Sequence, residues 1–409
     1  MHTDLGSDGG SDGPGARPLG SLTALRRWLG DEAVRQGIIQ ALTAAAVVAG
    51  LFFLAQTFLE NAERRGLALG FGFLDETAGF DIADAPIPYS AETSTYARAV
   101  AVGALNTLRV SLLGIGAATV LGAVLGVLRL SGNWLVARLV SVYVEVFRNL
   151  PLLLQILFWY SVIIITLPKV RESLSVGGVI FLNNRGLELP KILFGPGAWW
   201  IALALVAGGI GTWAWGRAAR RYRLATGRHR PVWPVALAGL VVLPFAAAWA
   251  AGWPWAVEVP EFRRFNFQGG MSLSPPLFAL WFALTVYTAA FIAEIVRAGI
   301  QSVDEGQREA ALALGLSRGL TLRMIILPQA LRVIIPPTTS QYLNLTKNSS
   351  LAIFVGYPDI FAVVGETINS QTGQPFEALL ILLAFYLTVS LLISLAMNLY
   401  NRSIAIREG

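Results

Sequence analysis

Long apolar runs, separated by short charged or Pro- and Gly-containing segments, dominate the pattern of this chain. A helix needs about 20 mostly apolar residues to cross the hydrocarbon core of a bilayer. Eight segments meet this length: 38–59, 103–128, 139–167, 196–216, 231–257, 271–293, 333–358 and 378–400. The pattern therefore predicts an all-α fold, a polytopic membrane helix bundle with about eight transmembrane helices. In the seventh segment, the Pro336-Pro337 pair and Lys347 predict a kinked helix that is interrupted near the lysine.

The charged residues between the runs predict the orientation of these helices. The segment from Trp215 to Pro231 contains six arginines and no acidic residue, which by the positive-inside rule predicts a cytoplasmic loop. Counting outward from this loop places both termini in the cytoplasm. Residues 60–98 and the short 366–374 link fall on the opposite side. The Gly-, Ser-, Asp- and Pro-rich residues 1–37 are expected to be a flexible cytoplasmic tail.

Composition narrows the classes of function. The chain is 55% hydrophobic and 14% charged, and it contains no cysteine, so disulfides and thiolate sites are excluded. His2 and His229 lie in polar segments, which makes a histidine-based catalytic or metal site improbable. The net charge of +6 comes from basic residues that mostly flank apolar runs. They indicate topology rather than a nucleic-acid footprint, and we expect no catalytic residue, metal site or nucleic-acid partner.

One polar segment between two apolar runs carries a specific motif, EAA-x3-G-x9-I-x-LP. It consists of Glu309, Ala310, Ala311, Gly315, Ile325, Leu327 and Pro328. The alanines favour a helix, Gly315 permits a sharp reversal with positive φ, and Pro328 is expected to start the next helix. This pattern resembles the EAA motif in the membrane subunits of ATP-binding-cassette (ABC) importers. The resemblance implies a cytoplasmic helix-turn-helix that docks on a separate ATPase subunit.

The resemblance extends to other parts of the chain. Segments 144–155, 292–307, 327–332 and 345–351 resemble the polar amino-acid permeases of the HisM and GlnP kind. The eight-span layout is similar to that of the general L-amino-acid permeases, the AapQ and BztB subgroup. This implies a type I ABC importer permease core of five helices plus three extra spans, in the bacterial inner membrane.

The resemblance also divides the chain into regions. These are an extra N-terminal helix (38–59), a periplasmic loop (60–98), the first part of the core (99–168), an inserted region (169–274) with a Trp-rich hairpin (196–257), and the second part of the core (275–405) with the EAA loop (301–330). Nothing in the hairpin demands chemistry, so a lipid-facing packing role is expected for it.

The energy source is expected to lie in another subunit. The chain has no G-x4-G-K-[ST] phosphate loop, and none of its three lysines follows a glycine. It is therefore not expected to be an enzyme or to hold a cofactor. A partner ABC ATPase would bind ATP and Mg²⁺. The resemblance further implies a second permease chain, different or identical, a periplasmic amino-acid-binding protein and the lipid bilayer as partners.

Ionisable residues inside the spans are the candidates for a substrate path. Glu145 and Arg148, like Glu294 and Arg297, are spaced i, i+3, so each pair shares a helix face and could neutralise itself. Such pairs are either structural salt bridges or lining groups of the path. Beside the interruption of the seventh span, four polar residues could meet an amino-acid carboxylate: Gln341, Asn344, Lys347 and Asn348.

Two other classes of function compete with an ABC importer permease that moves polar or broad-range L-amino acids. An ion-coupled secondary amino-acid transporter would be expected to show internal repeats and two broken helices. The chain offers one convincing broken span and no clear repeat. A channel or membrane scaffold without energy coupling is the third reading. The residues do not distinguish acidic, neutral and basic amino acids as substrates.

Overall fold

The computed structural model describes residues 32–64 and 70–404. The chain divides into two units, residues 1–69 and 70–409. In the first unit, helix α1 (Glu32–Arg64) contains an apolar stretch, Val34–Leu54, that is long enough to cross a membrane. Most of the predicted N-terminal tail lies outside the described residues, whereas α1 begins within its last six.

The second unit is built on long helices. Its helices are α2 (Tyr96–Leu128), α3 (Trp134–Asn149), α4 (Leu152–Thr166), α5 (Ala198–Thr226), α6 (Trp233–Leu237), α7 (Leu243–Ala250), α8 (Pro275–Gln301), α9 (Glu305–Ala313), α10 (Arg318–Thr321), α11 (Leu327–Asn348), α12 (Asn369–Thr372) and α13 (Pro375–Ile404). Among the described residues, seven helical segments are long and apolar enough to span a membrane, or eight if a bent pair counts as one span. The predicted bundle of about eight spans is therefore confirmed.

Helix α8 is the centre of the bundle, and α2, α3, α4 and α11 pack around it. Its buried residues lie on every face, from Leu277 near its start to Gly299 near its end. The closest approach is made by α2, where Gly122 and Gly126 lie against Ile292 and Val296 of α8. Glycines spaced four residues apart leave one helix face without side chains, which lets two backbones approach.

The predicted span 139–167 is not one straight helix. It consists of two helices, α3 and α4, that meet at 107°. Leu150 between them has extended backbone angles (φ −88°, ψ 134°). The following Pro151 disfavours helical angles at Leu150 and has no amide hydrogen to continue the helix. Pro151 therefore causes the bend. The prediction considered only the length of the apolar run and did not take this proline into account.

The inserted region 169–274 contains strands that the sequence analysis did not predict. They are β1 (Leu174–Val176), β2 (Ile180–Asn183), β3 (Gly186–Leu189), β4 (Lys191–Phe194), β5 (Trp255–Glu258), β6 (Glu261–Arg263), β7 (Asn266–Gln268) and β8 (Met271–Leu273). Four form an antiparallel sheet in the order β1-β2-β3-β8, with Leu187 opposite Leu273. Two antiparallel ribbons, β4–β5 and β6–β7, complete the region.

The Trp-rich hairpin of the inserted region stands on the β4–β5 ribbon. Strand β4 leads into α5, and β5 follows α7, while a π-helical turn (Ala238–Val242) joins α6 to α7. The two legs of the hairpin cross at Gly208 and Gly239, where a Cβ on Gly208 would lie 1.8 Å from the Gly239 oxygen. Small residues at the crossing thus allow backbone contact between the legs.

Three other predicted boundaries need correction. The helical part of span 231–257 ends at Ala250, because the chain turns at Gly252 (φ +69°) and enters β5. Span 271–293 begins as strand β8, and its helix then runs from Pro275 to Gln301. The supposed link 366–374 is largely helical, with π-helical Phe361–Ile368 followed by α12. Ile368 is fully buried there, which explains why a short polar-looking link is ordered.

Candidate functional site

The EAA segment folds as a helical elbow. Asp304 caps α9 by accepting a hydrogen bond from the Gly306 amide at 2.7 Å. At the other end, the amide of Gly315 donates to Leu312 O at 2.9 Å and that of Leu316 to Ala311 O at 3.1 Å. This pair of bonds is a Schellman motif, which requires a left-handed residue, and Gly315 supplies it with φ +79°. The reversal expected at Gly315 is confirmed.

The elbow presents a mixed surface on its outer side. Glu309 and Ala310 are exposed, whereas Ala311 is 3% exposed and packs inward. Leu314 at the tip is 82% exposed, and Met324 in the following helical segment is 61% exposed. No carboxylate–cation contact within 4.0 Å involves Glu309 in the described part of the chain. The outer side of the elbow therefore combines exposed apolar and acidic side chains.

The expectation that Pro328 starts a helix is confirmed in part, because Pro328 is the second residue of α11 but other helical turns precede α11. The helical backbone begins at Arg318, where the Ser317 hydroxyl accepts from the Leu320 amide, and it continues into α11. A π-helical turn, Leu322–Ile326, immediately precedes this proline. Such a turn accommodates the missing amide hydrogen of Pro328 and shifts the helix register.

The motif position Ile325 lies within this π turn, and Leu327 directly follows it. Ile325 is half-buried, and its carbonyl accepts from the Gln329 side chain at 3.0 Å. Leu327 is 37% exposed. These residues therefore shape the connection between elbow and span, whereas Glu309 and Ala310 of α9 and Leu314 at the tip are exposed.

Glu294 joins three helices near the elbow. Its carboxylate is bonded to Arg129, at the end of α2, and to Arg297 on its own helix, α8. Arg129 also donates to the Ser141 hydroxyl of α3 at 3.1 Å. Arg297 in turn is bonded to Gln301, the last residue of α8 before the elbow. We call Arg129, Glu294 and Arg297 the charge clamp.

The pairing expected between Glu145 and Arg148 is wrong. Among residues 32–64 and 70–404, no ion pair within 4.0 Å joins them. Glu145 is exposed, and the Arg148 guanidinium lies 5.1 Å from the centre of the Phe291 ring on α8. The i, i+3 spacing permits contact but does not select it, because the aromatic face offers Arg148 an alternative cation–π partner.

Polar side chains line one uncovered face of α11. Ser340, Asn344 and Lys347, spaced i, i+4 and i+7, are all exposed, while Gln341 and Asn348 beside them are half-buried. The α-helix ends at Asn348, one residue after Lys347, and the chain continues as a 3-10 segment, Ser349–Val355. The predicted interruption is therefore a change of helix type within one helical segment, Arg318–Val355. Sequence reasoning missed Ser340, which helical spacing from Asn344 could have revealed.

The opposite face of α11 is packed into the bundle. Ile334, Thr338 and Leu345 are buried there, and the Tyr342 hydroxyl lies 2.8 Å from the Thr119 hydroxyl of α2. Lys347 takes part in none of the ion pairs within 4.0 Å that occur in the described ranges. A polar face with an uncompensated cation is unsuited to lipid, so it favours water or a partner as its neighbour.

A buried polar cluster that the sequence analysis missed lies at the other end of α2. The Asn106 side chain donates to Asp84 O at 2.6 Å and to Pro358 O at 2.9 Å. The Tyr357 hydroxyl donates to Asn106 O at 3.2 Å. Arg109 pairs with Asp84 at 4.0 Å, which explains how the predicted span beginning at residue 103 tolerates an arginine.

Asp359 is fully buried next to this cluster and accepts a hydrogen bond from the Ala362 amide at 2.9 Å. Burial raises the pKa of its carboxyl from 3.8 to about 7, an effect that hydrogen bonds to the carboxylate partly offset. The sequence signal was weak, since Asp359 simply follows Pro358 at the end of an apolar run.

Many spans around one buried helix, an exposed helical elbow and an uncovered polar helix face together define a membrane transport permease. Residues 231–406 match the family described as binding-protein-dependent transport system inner membrane component. Full-length relatives strengthen this match, and the chain belongs to that family.

Three relatives match along nearly their whole length. The chain is 48% identical to the permease protein YhdX of Escherichia coli K12, over 92% of this chain and 95% of the relative. It is 45% identical to the general L-amino acid transport system permease protein AapQ of Rhizobium johnstonii, over 95% and 97%. It is 42% identical to the glutamate/glutamine/aspartate/asparagine transport system permease protein BztB of Rhodobacter capsulatus, over 92% and 95%. The expected resemblance to the AapQ and BztB subgroup is confirmed.

Proposed function

We propose that this chain is the transmembrane permease subunit of an ABC importer that carries L-amino acids across the bacterial inner membrane into the cytoplasm. Two of its relatives, AapQ and BztB, are named as amino-acid permeases, and the matches cover 97% and 95% of their lengths. The chain supplies the membrane path, and a separate ATPase subunit binds ATP and Mg²⁺. ATP drives transport by favouring one conformation of the assembly over another.

The exposed elbow carries this proposal. Its tip is fixed by the Schellman motif at Gly315 and presents Glu309, Ala310 and Leu314 outward. Such a rigid, outward-facing tip can transmit a displacement, whereas a flexible loop would absorb it. The charge clamp supports the same role, because it connects the last turn of α8, from which the elbow extends, to α2 and α3.

The assembly around this chain follows from the proposal. Two ATPase subunits dock on the elbows from the cytoplasm, and a second permease chain, of a different kind, completes the path. A periplasmic amino-acid-binding protein delivers the substrate on the opposite side. The six arginines between Trp215 and Pro231 support a cytoplasmic position for that loop, for the elbow and for both termini.

The substrate path of the proposal runs along the polar face of α11. Lys347 offers an ammonium group to a substrate carboxylate, and Asn344 and Asn348 offer amide groups, with Gln341 one turn away. Glu294 and Arg297, which also entered as path candidates, already bind each other and Arg129, so we assign them to coupling. Glu145 and Arg148 stay at the edge of the proposed path, on α3.

An ion-coupled secondary transporter is the alternative, and reconstitution separates the two functions. Proteoliposomes that contain this chain, its partner permease and the ATPase should accumulate a labelled amino acid only when ATP and the binding protein are supplied. The matched control omits the ATPase and imposes a sodium or proton gradient instead. Accumulation in that control would contradict the proposal.

A further inference from the structure

A group of exposed arginines lies at one end of the Trp-rich hairpin, far along the chain from the elbow. Helix α5 runs without interruption from Ala198 to Thr226 and ends at Gly227, which has φ +71°. At 29 residues it is longer than the roughly 20 residues that the hydrocarbon core requires. The last turns of α5 therefore extend beyond the hydrocarbon core of the bilayer.

The arginines of this extension share one face. Arg217, Arg220 and Arg221 are exposed and lie on the same side of α5 as Trp213, at spacings of i+4, i+7 and i+8. The Arg217 guanidinium lies 3.9 Å from the centre of the Trp213 ring, and Trp213 is 58% exposed. We call Trp213, Arg217, Arg220 and Arg221 the arginine face.

The rise of the helix sets the depth of this face in the bilayer. Trp199 and Trp200 stack on each other at the opposite end of α5, 3.7 Å apart, and exposed tryptophans favour the headgroup level. At about 1.5 Å per residue, Arg217 and Arg221 lie roughly 26 Å and 32 Å from Trp200 along the helix. A hydrocarbon core is about 30 Å thick, so the guanidinium groups reach the phosphates of the other leaflet.

Other contacts hold the hairpin end in this position. The Trp215 indole donates to Pro231 O at 3.3 Å, which ties the end of the first leg to the start of the second. Arg230 lies 3.8 Å from the centre of the Tyr222 ring. Trp233, at the start of the second leg, is 69% exposed and adds another ring near this level. The face is therefore held by packing rather than carried on a free loop.

The arginines give this end of the hairpin a high positive charge. Six arginines lie between Trp215 and Pro231 without an acidic residue, and within the described ranges none of them forms an ion pair closer than 4.0 Å. Repulsion among guanidinium groups this close favours a bound anion. Arginine matches phosphate oxygens with paired hydrogen bonds, and polybasic segments beside a span attract anionic lipids.

We propose that the arginine face binds the phosphate of an anionic phospholipid such as phosphatidylglycerol, whose acyl chains run along the exposed apolar surface of α5. Val206 and Ile210, at 59% and 61% exposure, belong to that surface below Trp213. The bound lipid anchors the hairpin and leaves the elbow free to move.

Native mass spectrometry of the full chain in mild detergent tests the site with phosphatidylglycerol and phosphatidylcholine as probes. The wild-type protein should bind phosphatidylglycerol at least about tenfold more tightly than phosphatidylcholine. The triple variant Arg217→Gln, Arg220→Gln, Arg221→Gln should lose this preference. The control Arg35→Gln, Arg223→Gln, Arg228→Gln removes the same charge outside the face, leaves Arg230 against the Tyr222 ring and should keep most of this preference. Each triple variant retains at least three of the arginines between Trp215 and Pro231 to direct its topology.

Three results would overturn the proposal. If the wild type binds both lipids equally well, the face has no site for anionic lipid. If both triple variants lose the preference to the same extent, net charge and not the arginine face explains the binding. Displacement of phosphatidylglycerol by inorganic phosphate at matched concentration would assign the face to free phosphate instead of lipid. Binding of a short RNA in preference to the anionic lipid would also exclude a lipid site.

Discussion

The carboxylate of Glu294 on α8 binds Arg129 at the end of α2, a residue 165 positions earlier in the chain. Through Arg129 and Ser141 the same carboxylate is connected to α3, and through Arg297 to the last turn before the elbow. One side chain therefore connects the last turn of α8, from which the elbow extends, to α2 and α3.

Replacing Glu294 should both destabilise and uncouple the protein. In Glu294→Gln the two arginines lose their shared anion, and hydrogen bonds to charged groups contribute about 1.5–3 kcal/mol each. We expect a loss of about 2–3 kcal/mol in stability, measured by thermal unfolding in detergent. ATP hydrolysis by the assembly should continue with less uptake per ATP. Glu145→Gln, at an exposed site without an ion pair, should change stability by less than about 0.5 kcal/mol, and equal effects of the two variants would refute the clamp.

The crossing of α2 and α8 should not accept a methyl group at Gly122. A Cβ there would lie 2.6 Å from the Ile292 Cβ and 2.9 Å from the Ala289 oxygen. Gly122→Ala should therefore separate the helices and lower stability by about 1–3 kcal/mol. Gly116→Ala on the same helix meets nothing within 4 Å and serves as the control. If both variants unfold at the same temperature, the close crossing is not present in the membrane.

Asp359 should make stability depend on pH. Burial raises the pKa of its carboxyl to about 7, so the folded protein holds this proton more tightly than the unfolded chain. The resulting stabilisation is complete below about pH 4 and is lost as the pH rises through about 7. Asp359→Asn keeps an oxygen for the Ala362 amide but cannot ionise. Relative to wild type, it should melt roughly 3–6 °C higher at pH 8 and show no gain at pH 4; a constant difference at both pH values would exclude this titration.

Lys347 should contribute to uptake through its charge. Lys347→Met keeps the length of the side chain and removes the ammonium, so we expect at least about a tenfold loss in uptake of an amino acid by the reconstituted importer. Lys347→Arg should retain part of the activity. Lys191→Met, in strand β4 outside the helix bundle, is the matched control. Normal affinity and rate in Lys347→Met would remove this residue from the path.

The spans and the elbow could be predicted from the sequence because each depends on residues that are close together in the chain. Apolar length predicts a span wherever it lies, and Gly315 is needed for one turn of backbone. The bend at Leu150-Pro151 was also local, but the length of the apolar run hid it. Strands β1 to β8 were not predicted because each has only three or four residues. Such a strand is too short to show a clear alternation of apolar and polar residues.

Partners far apart in the chain were beyond sequence reasoning. Nothing in the sequence adds Arg129 to the pair formed by Glu294 and Arg297, or pairs Arg109 with Asp84. Arg148 contacts the ring of Phe291 and not the side chain of Glu145, three residues away. Each of these choices depends on how helices pack around α8, and packing is a property of the whole bundle. Local spacing therefore predicted the pair of Glu294 and Arg297 but not the partners that come from other helices.

The central claim is that the Gly315 elbow transmits ATP-driven motion to the bundle, and ATP-dependent uptake by a matched glycine series tests it most directly. Gly315→Val forces a β-branched residue into φ +79°, whereas Gly315→Asn suits that conformation. Gly319→Val is the control, since Gly319 has an ordinary φ and open space around it. We predict that Gly315→Val inserts normally but loses ATPase binding and uptake, while Gly315→Asn and Gly319→Val retain most of both. Full uptake by Gly315→Val would contradict the account.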